Sequence, residues 1–226
     1  MPTPTSPAVL LIVDVQKAID AAYHAAVGPR NNPDAEQNIA RLLAHWRHNG
    51  WPIIHIRHDS TFVTSAYRPG QEGNQFKREV APGPGETILA KKTNSAFIGT
   101  GLEQHLRERA TGAALVVVGV STNNSVEATV RMAGNLGFRT FLVGDACFTF
   151  ARRDYHGRLR TADEVHSMSL ANLDGEYWEV IDTARLLAHS LPARPGQRTR
   201  QRVDGIPTAW QPELTGPRPT QLTVSS

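Results

Sequence analysis

Three residues of this chain stand where their types and positions could do chemistry: Asp14, Lys91 and Ser125. Asp14 closes the apolar run Val9-Leu10-Leu11-Ile12-Val13, so its carboxylate is expected at a partly desolvated strand end. There its pKa rises toward a range useful for proton transfer. A carboxylate in that place serves equally well as the cap of a loop or helix. Lys91 follows Thr87-Ile88-Leu89-Ala90 and could offset negative charge in a pocket or stabilise a developing oxyanion. Its neighbour Lys92 makes the assignment ambiguous, since only one of two adjacent side chains points easily into a pocket, and an ordinary Lys-Lys pair is solvated surface. Ser125 comes after the turn Gly119-Val120-Ser121-Thr122-Asn123-Asn124, which puts it at the start of a helix. Backbone N–H groups and the macrodipole favour negative charge there. A thiol in that place would be acidified and made nucleophilic. A hydroxyl gains far less and normally needs a well-placed base. Serine at a helix start is also the ordinary N-cap.

Other signatures are missing. There is no G-x-S-x-G elbow, no phosphate-binding P-loop and no paired cysteine ligands. Of nine histidines, His55 and His58 form the one close pair near a strand end, and no third ligand follows at a sensible spacing, so neither a metal nor a cofactor is expected. The single cysteine, Cys147, cannot close an intrachain disulfide, which fits a reducing cytoplasm. It follows an apolar run and reads as a small buried filler.

The elements that must position these residues alternate between strand and helix. Strands are expected at 9–13, 52–57, 87–90, 115–118 and 138–143, with a short last one at 177–181. Helices are expected at 33–49, where Ile39, Leu42, Leu43 and Trp46 have helical spacing, and at 102–109, 126–136, 165–173 and 183–189. Gly50 and Gly137 supply stops. The Gly-, Pro- and charge-rich stretch 65–85 reads as a long loop over the carboxyl edge of the sheet. Helical connections of this length favour a parallel sheet covered on both faces, with its site beyond the carboxyl ends of the strands. Asp14, His58, Lys91, Ser125 and Asp145 would then converge on one edge.

Composition sets the frame. The chain has 226 residues, 40% hydrophobic and 20% charged, enough for one ordinary domain with a sizeable core. No apolar run reaches the ~18 residues of a membrane span, and no basic segment precedes Val9 as a secretory signal would require. The net charge of +3 owes much to Arg194, Arg198, Arg200 and Arg202, which read as a solvated tail rather than a nucleic-acid patch. The expected division is a domain over 1–191 and a Pro/Arg-rich extension over 192–226.

In this order and at these spacings, the segments Leu11-Ile12-Val13-Asp14-Val15-Gln16, Lys91 to Thr100, Val118 to Thr129, Leu136-Gly137-Phe138, Val143-Gly144-Asp145-Ala146 and His166 resemble the isochorismatase-like hydrolase superfamily over roughly residues 9–184. The resemblance implies a three-layer α/β/α sandwich around a mostly parallel sheet, and an Asp–Lys–Cys triad carried by Asp14, Lys91 and position 125. Family spacing selects Lys91 over Lys92. It also implies a cis peptide between Val120 and Ser121, and an oxyanion hole formed by the N–H groups of Ser121 and Ser125. Gln16, His58, Phe97 and Asn124, with residues of the 65–85 loop, are expected to contact substrate. The departure is Ser125, where the amidase branch has cysteine. An engineered Cys-to-Ser change is favoured because the flanking motif is intact; a natural member that has lost amidase activity or uses serine slowly, and an enol-ether hydrolase with Asp14 as general acid, are the alternatives. The Asp-x-His metal motif of metal-binding nicotinamidases is not evident, since the second strand is followed by His58-Asp59-Ser60. The implied activity is hydrolysis of a small amide, carbamoyl or ureido compound by a cytoplasmic homodimer or homotetramer, without nucleic-acid or membrane partners. A non-catalytic binding protein on the same scaffold is the rival from another class.

Overall fold

The structure, a computed structural model, describes residues 8–177 and 179–188. Its strands in chain order are β1 (Val9–Val13), β2 (Ile53–His58), β3 (Thr87–Lys91), β4 (Leu115–Val120), β5 (Thr140–Phe148), β6 (Arg152–Arg153), β7 (Leu159–Arg160) and β8 (Glu179–Ile181). β6 and β7 form a small antiparallel hairpin, and the other six make one sheet in the order β3-β2-β1-β4-β5-β8. Every neighbouring pair in that sheet is parallel. The helices are α1 (Ala35–Asn49), α2 (Leu102–Arg109), α3 (Glu127–Asn135), α4 (Ala162–Leu173) and α5 (Thr183–Ala188).

Both faces of the central strands are apolar because both are covered. Strand side chains alternate between faces. Leu10, Ile12, Val116 and Val118 therefore pack with Ile39, Leu42, Leu43 and Trp46 of α1 and Leu186 of α5. Val9, Leu11, Val13, Leu115 and Val117 pack with Leu102 and Leu106 of α2, Val130 and Ala133 of α3, and Leu173 of α4. Each such side chain, fully withdrawn from water, contributes ~1.5–3 kcal/mol. The result is the expected three-layer α/β/α sandwich. α1 ends where Gly50 turns left-handed at φ 63° and donates back to the carbonyls of Trp46 and Arg47.

The chain winds from β1 outward to β3, then crosses to β4 on the other side of β1. That reversal opens a crevice at the carboxyl ends of β1 and β4, the place where open parallel sheets hold their ligands.

Several expected boundaries move. β5 does not stop at Val143 but runs to Phe148, across a register jump between the pairs Val117–Leu142 and Gly119–Cys147. The jump leaves strand carbonyls unpaired, and two side chains from elsewhere satisfy them. Asn32 donates to the carbonyls of Gly144 and Cys147 at 3.1 and 2.6 Å, and Asn38 to that of Asp145 at 2.9 Å. Asp145 consequently lies inside a strand, where its carboxylate accepts from the N–H and hydroxyl of Thr183 at 2.8 Å and fixes the start of α5. It does not join the other candidates. β4 continues two residues beyond expectation, and α4 begins at Ala162 behind a capping box of Thr161 and Glu164. β8 starts at Glu179, not Tyr177. The 65–85 stretch holds two single 3-10 turns, Glu72–Asn74 and Arg78–Val80. The β6–β7 hairpin is too short for periodicity to reveal. The 192–226 extension, its arginines and the expected helix end at His189 lie outside the described residues. No helix among the described residues is long and apolar enough to cross a membrane.

Candidate active site

Asp14 and Ser125 are brought together by one close approach. Gly119 on β4 pairs with Val13 on β1, and a Cβ on Gly119 would lie 2.1 Å from the Val13 carbonyl oxygen. Its φ of 128° is likewise one that side-chain-bearing residues avoid. Glycine at 119 thus lets the two strand ends nearly touch. Immediately afterwards Asp14 takes φ 56°, in the left-handed region where aspartate is among the few tolerated side chains. Its N–H is held by the Ile56 carbonyl at 3.0 Å, so the turn is anchored on β2.

Lys91 completes the group from β3. It is 1% exposed, and its ammonium spends its three hydrogens on Asp14 Oδ2 at 2.6 Å, the Thr93 carbonyl at 3.0 Å and Ser125 Oγ at 3.2 Å. Lys92 is exposed. Because Lys91 donates to Ser125 Oγ, the hydroxyl hydrogen of Ser125 is left to donate elsewhere. The Asp14 carboxyl, which takes a hydrogen bond from Ser125, lies beside it. Burial pushes the Asp14 carboxyl above its ordinary pKa of 3.8, with the Lys91 charge and hydrogen bonds from Lys91 and Ser125 opposing it. A buried carboxylate, a buried ammonium and a hydroxyl in mutual contact form an arrangement able to pass a proton to and from Oγ.

Ser125 does not cap a helix. It is the fourth residue of a π-helical turn, Thr122–Val126, that runs into α3, and it is 7% exposed. The turn is entered through a cis peptide between Val120 and Ser121. The Ser121 carbonyl takes the N–H groups of Asn124 and Val126 at 3.0 and 3.3 Å, the two that flank Ser125. From the opposite side, His166 of α4 contacts the buried Thr122 hydroxyl through Nδ1 at 2.9 Å. Tandem bonds and a histidine brace therefore hold the turn. Neither Thr122 nor His166 carries a sequence pattern that announces this pairing across 44 positions.

The four expected substrate contacts divide. His58 is the last residue of β2, not one beyond it, and is the register partner of Lys91. It is half-buried, its ring lies edge-on to Tyr67 at 5.6 Å, and burial holds it below its ordinary pKa of 6.5. Asn124 is exposed on the Ser125 turn. Gln16 is committed within the protein. It is fully buried, donates to the carbonyls of Asn74 and His58 at 2.8 and 3.1 Å, and accepts from the His58 N–H at 2.7 Å. It staples β1, β2 and the 65–85 loop together. Phe97 is half-buried; its ring stacks on Phe138 at 5.7 Å and packs against the core. Cys147 is fully buried in β5 and its thiol is pushed up to about 12 by that burial. No group of three or more His, Cys, Asp or Glu side chains among the described residues could hold a metal ion.

Residues 8–185 match the isochorismatase domain model. The Bacillus subtilis (strain 168) isochorismatase family protein YrdC is 41% identical over 178 residues, 79% of this chain and 93% of its own length. Streptothricin hydrolase of Streptomyces noursei is 34% identical over 146 residues, 62% of this chain and 49% of that protein. Among solved structures, an isochorismatase-family protein from Chromobacterium violaceum ATCC 12472 is 59% identical, superposes with a TM-score of 0.77, and covers 83% of this chain and 97% of its own. A crevice built between β1 and β4 and a family match spanning nearly the whole described region lead to the same conclusion: the chain belongs to the isochorismatase family of hydrolases.

Proposed function

We propose that the fold serves an amidohydrolase that cleaves the C–N bond of a small amide, carbamoyl or ureido compound through a covalent acyl-enzyme on residue 125. The observation that carries this reading is the Lys91 ammonium, which hydrogen-bonds both Asp14 and Ser125 Oγ inside a buried site. In the proposed reaction the residue-125 side chain gives its proton to Asp14 and attacks the carbonyl carbon. The resulting oxyanion is received by the N–H groups of Ser121 and Ser125, the flanking N–H groups being committed to the Ser121 carbonyl. Asp14 then protonates the leaving nitrogen as the C–N bond breaks. It next takes a proton from the water that attacks the acyl carbonyl, and returns it to the residue-125 side chain as the acyl bond breaks and the acid leaves. Serine at 125 is read as a Cys-to-Ser substitution that keeps binding and removes most turnover. Streptothricin hydrolase, a relative named for hydrolysis, is consistent with hydrolytic chemistry on this scaffold.

A second reading takes Asp14, buried at the end of β1 with burial raising its pKa above the ordinary value, as a general acid on an enol ether. One experiment separates the two. Ammonia release from a panel of small amides and ureides is measured for this chain and for Ser125→Cys, alongside isochorismate turnover. The amidase reading expects hydrolysis by Ser125→Cys alone. Failure of the cysteine form on every amide, with isochorismate turnover that Asp14→Asn abolishes, would replace it by the enol-ether reading.

A further inference from the structure

Among the described residues, six buried side-chain polar atoms lack a hydrogen-bond partner: Asp14 Oδ1, His24 Nε2, Asn31 Nδ2, His55 Nδ1, His58 Nδ1 and Arg139 Nε. Buried polar atoms in folded proteins are nearly always paired, so a cluster of exceptions has a reason. Four of these six belong to one continuous set around Asp14. His58 is electrostatically coupled to both Asp14 and Lys91. Its ring meets Tyr67 at 5.6 Å, Tyr67 meets His24 at 6.1 Å, and His24 stacks on Phe150 at 5.5 Å. Next to Phe150, the Thr149 N–H donates to Asn31 Oδ1 at 2.9 Å, while the Thr149 hydroxyl donates to Asn123, two residues before Ser125. The set thus returns to the nucleophile turn. All of its members lie at or beyond the carboxyl ends of β1, β2, β4 and β5.

Asn31 is the strongest member. It is 5% exposed, and because a backbone N–H can only donate, its bond from Thr149 identifies Oδ1 and leaves the amide –NH2 as an unspent donor. The two imidazoles add one nitrogen each, a donor or an acceptor according to tautomer. Burial holds both rings below their ordinary pKa of 6.5. The cations that share the β1–α1 loop with His24 and Asn31 are already committed: Lys17 to Glu72 at 3.0 Å, and Arg30 to Glu36 at 2.5 Å.

We propose that Asn31, His24 and His58 form the recognition rim of the Asp14–Lys91–Ser125 site, and that this rim selects uncharged substrates offering both donors and acceptors, primary carboxamides and ureides, over carboxylates of the same shape. The proposal rests on the amidohydrolase reading and names its substrate class. The test is calorimetric binding to the chain with Ser125, which needs no turnover, using three matched pairs: malonamide with malonate, succinamide with succinate, and benzamide with benzoate. The neutral member should bind at least tenfold tighter in one or more pairs. Asn31→Leu, His24→Phe and His58→Phe should each weaken it about tenfold, the usual cost of one lost buried hydrogen bond. Asn31→Ser serves as a milder replacement, with circular dichroism verifying that every variant is folded. Equal binding of amide and acid in all pairs, no binding of any amide, or folded variants that bind as the parent does would overturn the proposal. Ammonia release by Ser125→Cys keeps the two readings apart. Turnover whose KM ignores all three rim substitutions sinks the rim and spares the amidase. Selective amide binding with no turnover does the reverse.

Discussion

Ser125 and Cys147 sit on neighbouring segments of the chain's fold, Cys147 on β5 pairing with Gly119 of β4 only six positions before Ser125. Their side chains are the reverse of what intrinsic reactivity would select. The thiol, intrinsically the better nucleophile, is buried in β5 with its pKa pushed up to about 12, while the hydroxyl stands in the π-turn beside a buried lysine and aspartate. Cys147 meets apolar neighbours on its face of the sheet, so ionisation would place an unpaired charge in the core. A negative charge at residue 125 would instead face the Lys91 ammonium and the start of α3. Position in the fold, more than residue type, decides which side chain can react.

The sharpest way to break that comparison is to give both places a thiol. In Ser125→Cys the thiol at 125 should be alkylated by iodoacetamide at pH 7 on the order of a hundredfold faster than Cys147, or more. The sign follows from the pKa values. A thiol raised to about 12 is protonated throughout the neutral range and gains thiolate only as pH climbs toward that value. A thiol beside a cation at a helix start ionises lower. Intact-mass spectrometry should find one label on Ser125→Cys and none on the parent after the same exposure. Two labels, or labelling of the parent, would show that burial does not silence Cys147.

Lys91→Met asks how much of the difference is electrostatic. It leaves Asp14, 4% exposed, without its partner at 2.6 Å. Removing one member of a buried ion pair costs about 3–5 kcal/mol. The urea midpoint should fall accordingly, with an unchanged m-value. A loss under ~1 kcal/mol would mean that Asp14 simply takes up a proton and that Lys91 contributes little to holding the site.

How much of this could be read from the residues follows the range of the interactions. β1, α1 and its glycine stop were legible, because burial on one face writes itself into a local period. Asp14, Lys91 and Ser125 were legible as residues that follow strands, and their contact agrees with the parallel-sheet expectation. The means of contact was not. That Gly119 must lack a side chain depends on Val13, more than a hundred positions away. The extension of β5 depends on Asn32 and Asn38, whose amides stand in for missing strand partners. Gln16 and Phe97 were legible as a polar and an aromatic side chain near a site, but their protein partners, His58 and Asn74 for one and Phe138 for the other, were not. Asn31 was passed over altogether, although the pair Asn31-Asn32 before Pro33 marks a turn.

The smallest expected effect tests the filler role of Cys147 by itself. Cys147→Ser puts a hydroxyl into a slot 0% exposed, where the thiol meets the Gly119 backbone. A hydroxyl buried with partial hydrogen bonding costs about 1–2 kcal/mol, a melting-point drop of roughly 2–4 °C for each kcal/mol in a domain of this size. Made on the Ser125→Cys background, the same change should leave ammonia release within twofold. The two readouts matter together, because Cys147 lies beside Gly119, the residue that lets β1 and β4 approach. If the melting point falls while turnover holds, the thiol fills space and the approach of the strands is set by Gly119 alone. If turnover falls by a hundredfold with the melting point nearly unchanged, Cys147 takes part in shaping the Asp14–Ser125 contact, and the separation between a reactive and a silent segment no longer stands.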